Sequence, residues 1–239
     1  MKKTVLQNFL AKYNLNGLVE ETIWTIKDGK LLIKFRAEDT TVMGIGLLNE
    51  FDLEDGEFGV YNTSTMMNAI NPLDEDINIE LIKDEEGGFI RINYTDIDVK
   101  NQRVLSDVGI IENTFKSATF NDDIFDVKMK IDENFLTKFN KIKNVTSDNM
   151  AIRINDDKTA TFIINYSENN VDTGHFDIEI EEGDKTEPVI FKLDAVAKIL
   201  NNNKKTEGSI RLSTSEGLLE FKFKNDDMKF VYYTVALQQ

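Results

Sequence analysis

The sequence predicts an α+β protein built from two tandem copies of one domain, each a set of antiparallel strands carrying two helices. Three observations predict it. The heptapeptide Asn8-Phe9-Leu10-Ala11-Lys12-Tyr13-Asn14 returns as Asn134-Phe135-Leu136-Thr137-Lys138-Phe139-Asn140, with five of seven residues identical. Most of the chain alternates apolar and polar residues at period two, the pattern of half-buried antiparallel strands. Two segments in each half instead space their apolar residues for one face of a helix. The repeat continues downstream. Asp28-Gly29-Lys30 is echoed by Asp156-Asp157-Lys158, and Glu86-Gly87 by Glu216-Gly217. The stretch from Val60-Tyr61 to Ile70-Asn71 is matched by Ile190-Phe191 to Leu200-Asn201. A period of about 128 residues is far longer than the roughly 20–50 residues of solenoid units, so it marks a duplicated domain.

The elements follow in order. The first helix begins at Thr4, which with Gln7 makes a capping-box pattern, and Leu6, Phe9, Leu10 and Tyr13 form its apolar stripe. Strands are expected at Ile23–Ile26 and Leu31–Phe35, joined through Asp28-Gly29 as a hairpin. A second helix follows Ser64, with Met66, Met67 and Ile70 inward, and strands return at Ile77–Ile82 and Phe89–Tyr94. The second copy has a lead-in that the first lacks, Phe125-Asp126-Val127-Lys128-Met129. Its first helix starts at the cap former Asp132 and buries Phe135, Leu136, Phe139 and Ile142. Strands are expected at Ala151–Ile154, Thr161–Tyr166 and His175–Ile180, then a helix after Asp194 with Val196, Ala197 and Leu200 inward. The last three strands are Ser209–Leu212, Leu218–Phe223 and Phe230–Leu237. The expected boundaries are residues 1–112 for the first domain, 113–126 for a connector and 127–239 for the second.

Composition limits what such a chain can do. Its 239 residues suffice for two domains with separate cores, and 41% hydrophobic content with 16 Phe argues for a folded protein. With no cysteine, disulfides, thiolate metal sites and a Cys nucleophile are excluded. No run of 18 apolar residues and no signal-peptide pattern is present, so the expectation is a cytoplasmic protein without a membrane partner.

The net charge of −15 opposes binding to phosphate, but its distribution does not. Residues 1–14 hold Lys2, Lys3 and Lys12 and no acid; residues 61–71 hold no charge. Residues 132–144 hold Lys138, Lys141 and Lys143 against two acids. Residues 192–205 hold Lys192, Lys198, Lys204 and Lys205 against one. These four helical windows sum to +7, which leaves −22 for the rest. If the helices share a surface, it is a positive track on a negative body, able to meet a nucleic-acid backbone without reading sequence.

The paired Asn-Phe-Leu-x-Lys helices, the paired segments beginning at Val60 and Ile190, and the final strand Val231-Tyr232-Tyr233-Thr234-Val235-Ala236-Leu237 carry a resemblance that covers the whole chain. The sequence resembles the PCNA-type sliding clamps, and among them most closely those of T4-like bacteriophages. The resemblance implies two tandem domains of the DNA-clamp fold, with antiparallel sheets and two helices per domain. It implies a homo-oligomer, a trimeric head-to-tail ring around duplex DNA, that tethers a DNA polymerase and is opened by an ATP-dependent clamp loader. The DNA-facing residues would be Lys2, Lys3, Lys12, Lys138, Lys141, Lys143, Lys198, Lys204 and Lys205. Subunits would join through edge strands at Arg103, Val104 and Leu105 and at Phe176 and Ile178. The connector region from Asp107 to Asp123 is more apolar than a tether needs. In these clamps partner peptides dock beside it, which implies a pocket of Val108, Ile110, Ile111, Phe115, Phe120, Val235, Ala236 and Leu237, with Asp122, Asp123 and Asp126 steering basic flanks. If the chain is viral, its location is the host cytoplasm.

Nothing in the sequence supports catalysis, a cofactor or a metal. His175 is the single histidine and falls in a strand; Gly44-Ile45-Gly46 lacks the third glycine and following helix of a nucleotide loop. The acidic runs at Asp74-Glu75-Asp76, Asp84-Glu85-Glu86 and Asp122-Asp123 lack the spacing of a calcium loop. Two other readings stand beside the clamp: a structural or adaptor β protein of a virus, and a monomeric processivity factor that binds DNA by a basic face.

Overall fold

The computed structural model describes residues 1–112, 120–143, 148–167 and 172–237. The chain divides into two compact units. The first holds Met1–Ser117 and Asn225–Phe230, the second Ala118–Lys224 and Val231–Gln239.

In the first unit, helix α1 (Lys3–Asn14) buries Leu6, Phe9, Leu10 and Tyr13, as its stripe predicts. It stops because Leu15, Asn16 and Gly17 all turn left-handed, at φ 51°, 58° and 83°. Asn14 closes the turn: its side-chain oxygen accepts from the Gly17 amide at 2.8 Å and its NH2 donates to the Val19 carbonyl at 3.0 Å. The expected capping box does not form. Lys2 holds the N-cap position without a side-chain cap, while the Thr4 hydroxyl donates to Glu75 and the Gln7 amide to Asn71. Contacts distant in sequence take the two groups that a local box would use.

Strands β1 (Thr22–Lys27), β2 (Lys30–Arg36), β3 (Val42–Leu48) and β4 (Gly56–Val60) form an antiparallel array in the order β4-β1-β2-β3. The β1–β2 hairpin turns at Asp28 and Gly29, both at positive φ. Strand β3 is not foreseen, because Gly44 and Gly46 break its alternation. Gly46 is a packing position: a Cβ there would sit 2.5 Å from the Phe230 ring. Helix α2 (Thr63–Ile70) is capped by Asn62, two residues earlier than the expected Ser64, whose hydroxyl donates instead to Glu20. Strands β5 (Asn78–Lys83), β6 (Phe89–Thr95) and β7 (Lys100–Val104) complete the unit as a separate sheet with β7 at its edge. Buried Trp24 ties the layers together. Its indole N–H donates to the Tyr13 hydroxyl at 3.4 Å, which also accepts from Thr63 at 3.2 Å.

The second unit opens with the lead-in strand β8 (Val127–Ile131), then α3 (Glu133–Ile142), capped by Asp132 through the Phe135 amide at 2.8 Å. The first unit has no strand at the matching place, only an isolated bridge between Lys2 and Asp76. Strands β9 (Asn149–Ile154), β10 (Thr159–Ile164), β11 (Gly174–Glu179) and β12 (Val189–Lys192) form a sheet in the order β11-β10-β9-β12. Helix α4 (Leu193–Asn202) starts one residue before Asp194, which lies in its first turn. Strands β13 (Gly208–Ser213), β14 (Leu218–Lys224) and β15 (Met228–Val235) follow, with β13 between β8 and β14. The core under α3 is aromatic. Phe135 meets Phe162 and Phe176 edge-on at 5.2 and 5.6 Å, and Phe162 stacks on Phe176 at 5.1 Å. Each such ring fully removed from water contributes about 1.5–3 kcal/mol, which makes this cluster the anchor of the helix.

Candidate nucleic-acid interface and partner site

The nine lysines expected to face nucleic acid have different fates. In the first unit all three are engaged. Lys2 pairs with Asp76 at 2.7 Å, the Lys3 ammonium donates to the Leu73 carbonyl, and Lys12 is only 7% exposed. Burial pushes the Lys12 pKa down to about 8. As a solvent-facing charge Lys12 is therefore corrected: its position flanks the apolar stripe, and packing covers it. The exposed side of α2, with Thr65 and Asn68, is neutral.

The second unit keeps most of the accessible charge. Lys138, the repeat counterpart of Lys12, is half-buried and donates to the Asp177 carbonyl at 2.8 Å. Lys143 donates to Asn201 at 2.8 Å, and Lys198 pairs with Asp194 one helical turn earlier at 2.8 Å. Lys141, Lys204 and Lys205 are exposed and carry no ion pair among the described residues. They lie together. Glu133, Thr137 and Lys141 follow one another at i, i+4 and i+8 on α3. A shallow groove brings Glu133 and Thr137 against Lys204 and Lys205 in the turn after α4. Exposed lysines are a residue type that meets phosphate without reading bases, and here they share the groove with the acids Glu133 and Glu207.

Of the residues expected at subunit contacts, Val104 is 79% exposed on the edge strand β7 and Arg103 is half-buried, its guanidinium donating to the Thr65 carbonyl at 3.2 Å. Leu105 and Phe176 are corrected to core positions, at 6% and 8% exposure. The pleat explains both: neighbours on a strand face opposite sides, so Phe176 joins the aromatic cluster while His175 and Asp177 face out. Ile178 is half-buried on β11, the other edge strand.

The residues expected in a partner pocket fall in both units. In the first, Asp107 caps a single turn of 3-10 helix, Val108–Ile110, that lies along β4. Ile110 is exposed and Val108 half-buried, but Ile111 is corrected to the core, since its side chain covers Gly59. Phe115 lies outside the described residues. In the second unit Phe120 packs on Tyr233 with ring centres 4.8 Å apart. The tail after β15 is threaded by two backbone bonds, from the Ala236 amide to the Gly217 carbonyl at 2.6 Å and from the Leu237 amide to the Ile190 carbonyl at 2.8 Å. Val235 and Leu237 remain exposed, and Ala236 is half-buried.

Arg211 on β13 has no counterpart in the sequence expectations. Its guanidinium holds Glu220 through two bonds, 2.5 and 3.0 Å, reaches Asp122 at 2.7 Å, and lies 4.3 Å over the Phe125 ring. Glu220 is 1% exposed and also meets Lys222 at 3.1 Å. The guanidinium beside Asp122 holds that carboxyl below its ordinary range. No sequence pattern marks this cluster, because its members come from separate elements. Among the described residues there is no group of His, Cys, Asp and Glu arranged to hold a metal ion, and no helix is long and apolar enough to cross a membrane.

The sequence matches no protein-family profile and no curated protein. Solved structures match it along its whole length. A. fulgidus PCNA, in a structure with the C-terminal region of FEN-1, superposes with a TM-score of 0.77 at 16% identity, covering 100% of this chain and 97% of that one. The proliferating cellular nuclear antigen of Entamoeba histolytica gives 0.76 at 13% identity, with coverage of 100% and 97%. A chain of the PCNA2–PCNA3 complex of Sulfolobus tokodaii gives 0.73 at 12% identity, with coverage of 99% and 97%. The chain has the PCNA-like clamp fold from end to end.

Proposed function

We propose that the chain is the subunit of a DNA sliding clamp, a ring that encloses duplex DNA and tethers a replicative polymerase. The observation that carries this reading is the end-to-end match of both halves to PCNA chains, with a TM-score of 0.77 to that of A. fulgidus. The ring is a head-to-tail trimer, as a heterologous contact closes when its rotation allows. Its joint is the edge of β7 against the edge of β11 in a neighbouring copy. The two edges are complementary: β7 carries Lys100 and Arg103 and no acid, while β11 carries Asp177 and Glu179. Pairing would also cover two open ladders that otherwise invite aggregation.

DNA is held without sequence preference, mainly through Lys141, Lys204 and Lys205. Polymerase and other partners dock peptides on the second unit at Phe120 and Val235–Leu237, while Val108 and Ile110 are the accessible apolar residues of the first unit; an ATP-dependent loader opens the ring. The chain itself performs no catalysis. The resemblance of the sequence to clamps of T4-like bacteriophages supports a role in viral DNA replication in the host cytoplasm.

The test is absolute mass by light scattering over a range of concentrations, followed by retention on nicked circular against linear DNA. A mass of three times 27.4 kDa and retention on circles only is the expected result. A monomer at every concentration that binds both DNA forms equally would overturn encirclement.

A further inference from the structure

The segment that enters the second unit, Phe120 to Asp126, has little structure of its own. A single 3-10 turn, Asp122–Ile124, is capped by Asn121, and its internal amide bonds are long: 3.3 Å from Ile124 to the Asn121 carbonyl and 3.3 Å from Phe125 to that of Asp122. Such a turn does not hold itself in place. Contacts with the sheet hold it instead: at its start Phe120 packs on Tyr233, and at its end the Asp126 amide donates to the Leu212 carbonyl at 3.1 Å. Asp126 accepts from the Thr214 amide at 2.9 Å, which fixes the end of the segment. Among the described residues, the side-chain bond and the ring contact from the sheet to the middle both come from Arg211, through Asp122 on one side of the turn and Phe125 on the other. Because Glu220 grips the guanidinium from below through both oxygens, the fork is fixed in plane and its outer face can serve as a shelf.

We propose that Arg211 is the positioning residue of a partner surface on the second unit. By clamping Asp122 and Phe125 onto β13, it holds Phe120 against Tyr233 beside the exposed Val235 and Leu237, so that an incoming peptide meets an ordered apolar surface. This rests on the reading that partner peptides dock there. A bound peptide then pays little ordering entropy, which is the general advantage of a prearranged site. A lysine cannot replace the arginine. It carries the charge but lacks the planar fork that bonds two carboxylates and stacks on a ring.

Amide hydrogen exchange on the full chain tests this directly. Arg211→Gln is expected to raise exchange at Ile124 and Phe125 about tenfold or more while leaving the strands around Trp24 in the first unit unchanged. Arg211→Lys is expected to behave nearly as Arg211→Gln. Asp122→Asn cuts only the outer link and leaves the Arg211–Glu220 pair, so it keeps the test decisive if the arginine variants unfold. It should raise the same amides, and the double variant should add nothing beyond Arg211→Gln. Unchanged exchange at Ile124 and Phe125 in Asp122→Asn and Arg211→Gln, or an equal rise throughout the unit, would overturn the clamp.

Binding is read with the FEN-1 C-terminal peptide as probe. If the wild-type chain binds it, Arg211→Gln should weaken binding about tenfold through lost preorganisation. Equal binding by both would overturn the positioning role. Failure of the wild-type chain to bind would count against the docking reading alone, and the exchange result would still decide Arg211.

Discussion

Lys12 and Lys138 occupy one position of the repeat and do different things. Lys138 is half-buried and reaches the Asp177 carbonyl, whereas Lys12 is covered and its pKa falls to about 8. Sequence spacing cannot separate them, because each sits one residue before the inward aromatic, Tyr13 or Phe139, on the flank of the stripe. The pKa of Lys12 is depressed on folding from 10.5, so between about pH 8 and 10.5 the unfolded chain binds the extra proton and stability rises with pH. Below pH 8 the ammonium's desolvation is a constant cost of about 3 kcal/mol at most. Lys12→Met should therefore remove the gain between pH 8 and 10.5, and should not weaken DNA retention at neutral pH. Urea midpoints of the two proteins across that range check it. A variant that keeps the same pH slope as the wild type would show that Lys12 is not the group responsible.

At the scale of elements, the helices were legible because each buries a stripe that local spacing reveals, and Asp132 caps α3 as its type and position predict. What failed was decided by residues distant in sequence. Thr4 and Gln7 form no box because Glu75 and Asn71 accept from them, and β3 was hidden because Gly46 yields its side-chain space to Phe230. The exposure of Ile110, Val235 and Leu237 agrees with the sequence expectation; the Arg211 shelf was not legible, since a 3-10 turn and two strands build it. The repeat itself supplies a controlled comparison. Gly87 and Gly217 are counterparts, both at positive φ, 89° and 59°. A Cβ at Gly87 meets nothing within 4 Å, whereas at Gly217 it would lie 2.8 Å from the Cβ of Ala236. Gly87→Ala should cost about 1–2 kcal/mol, the backbone strain alone. Gly217→Ala should cost about 1–3 kcal/mol more and expose the Ala236 amide to exchange, because the tail must leave its place. Equal midpoints for the two variants would mean that the tail contributes nothing to the stability of the second unit.

For the whole molecule, the proposed clamp raises the question whether charge or topology would keep it on DNA. The sequence's +7 helical windows overstate the charge available, since Lys2, Lys3, Lys12, Lys138, Lys143 and Lys198 are engaged or covered within the chain. Among the described residues of these windows, Lys141, Lys204 and Lys205 are the exposed lysines without an ion pair, a small number against a net charge of −15. A monomer binding by that face alone would neutralise about three phosphates and lose affinity about 40-fold between 50 and 200 mM salt. An enclosing ring behaves differently once closed. Its residence on a circle is set by how often a joint between β7 and β11 opens, and salt at these concentrations acts on that joint only through a few exposed charges. Retention on nicked circles should therefore change little across the same salt range, while binding to short linear duplex falls steeply. Neutralising Lys141, Lys204 and Lys205 together, each to Gln, should weaken linear binding and flatten its salt dependence without lowering the melting temperature. Residence on circles should survive that change. Loss of the triple variant from circles as fast as from linear DNA would mean that the lysines, not the enclosure, hold the protein in place.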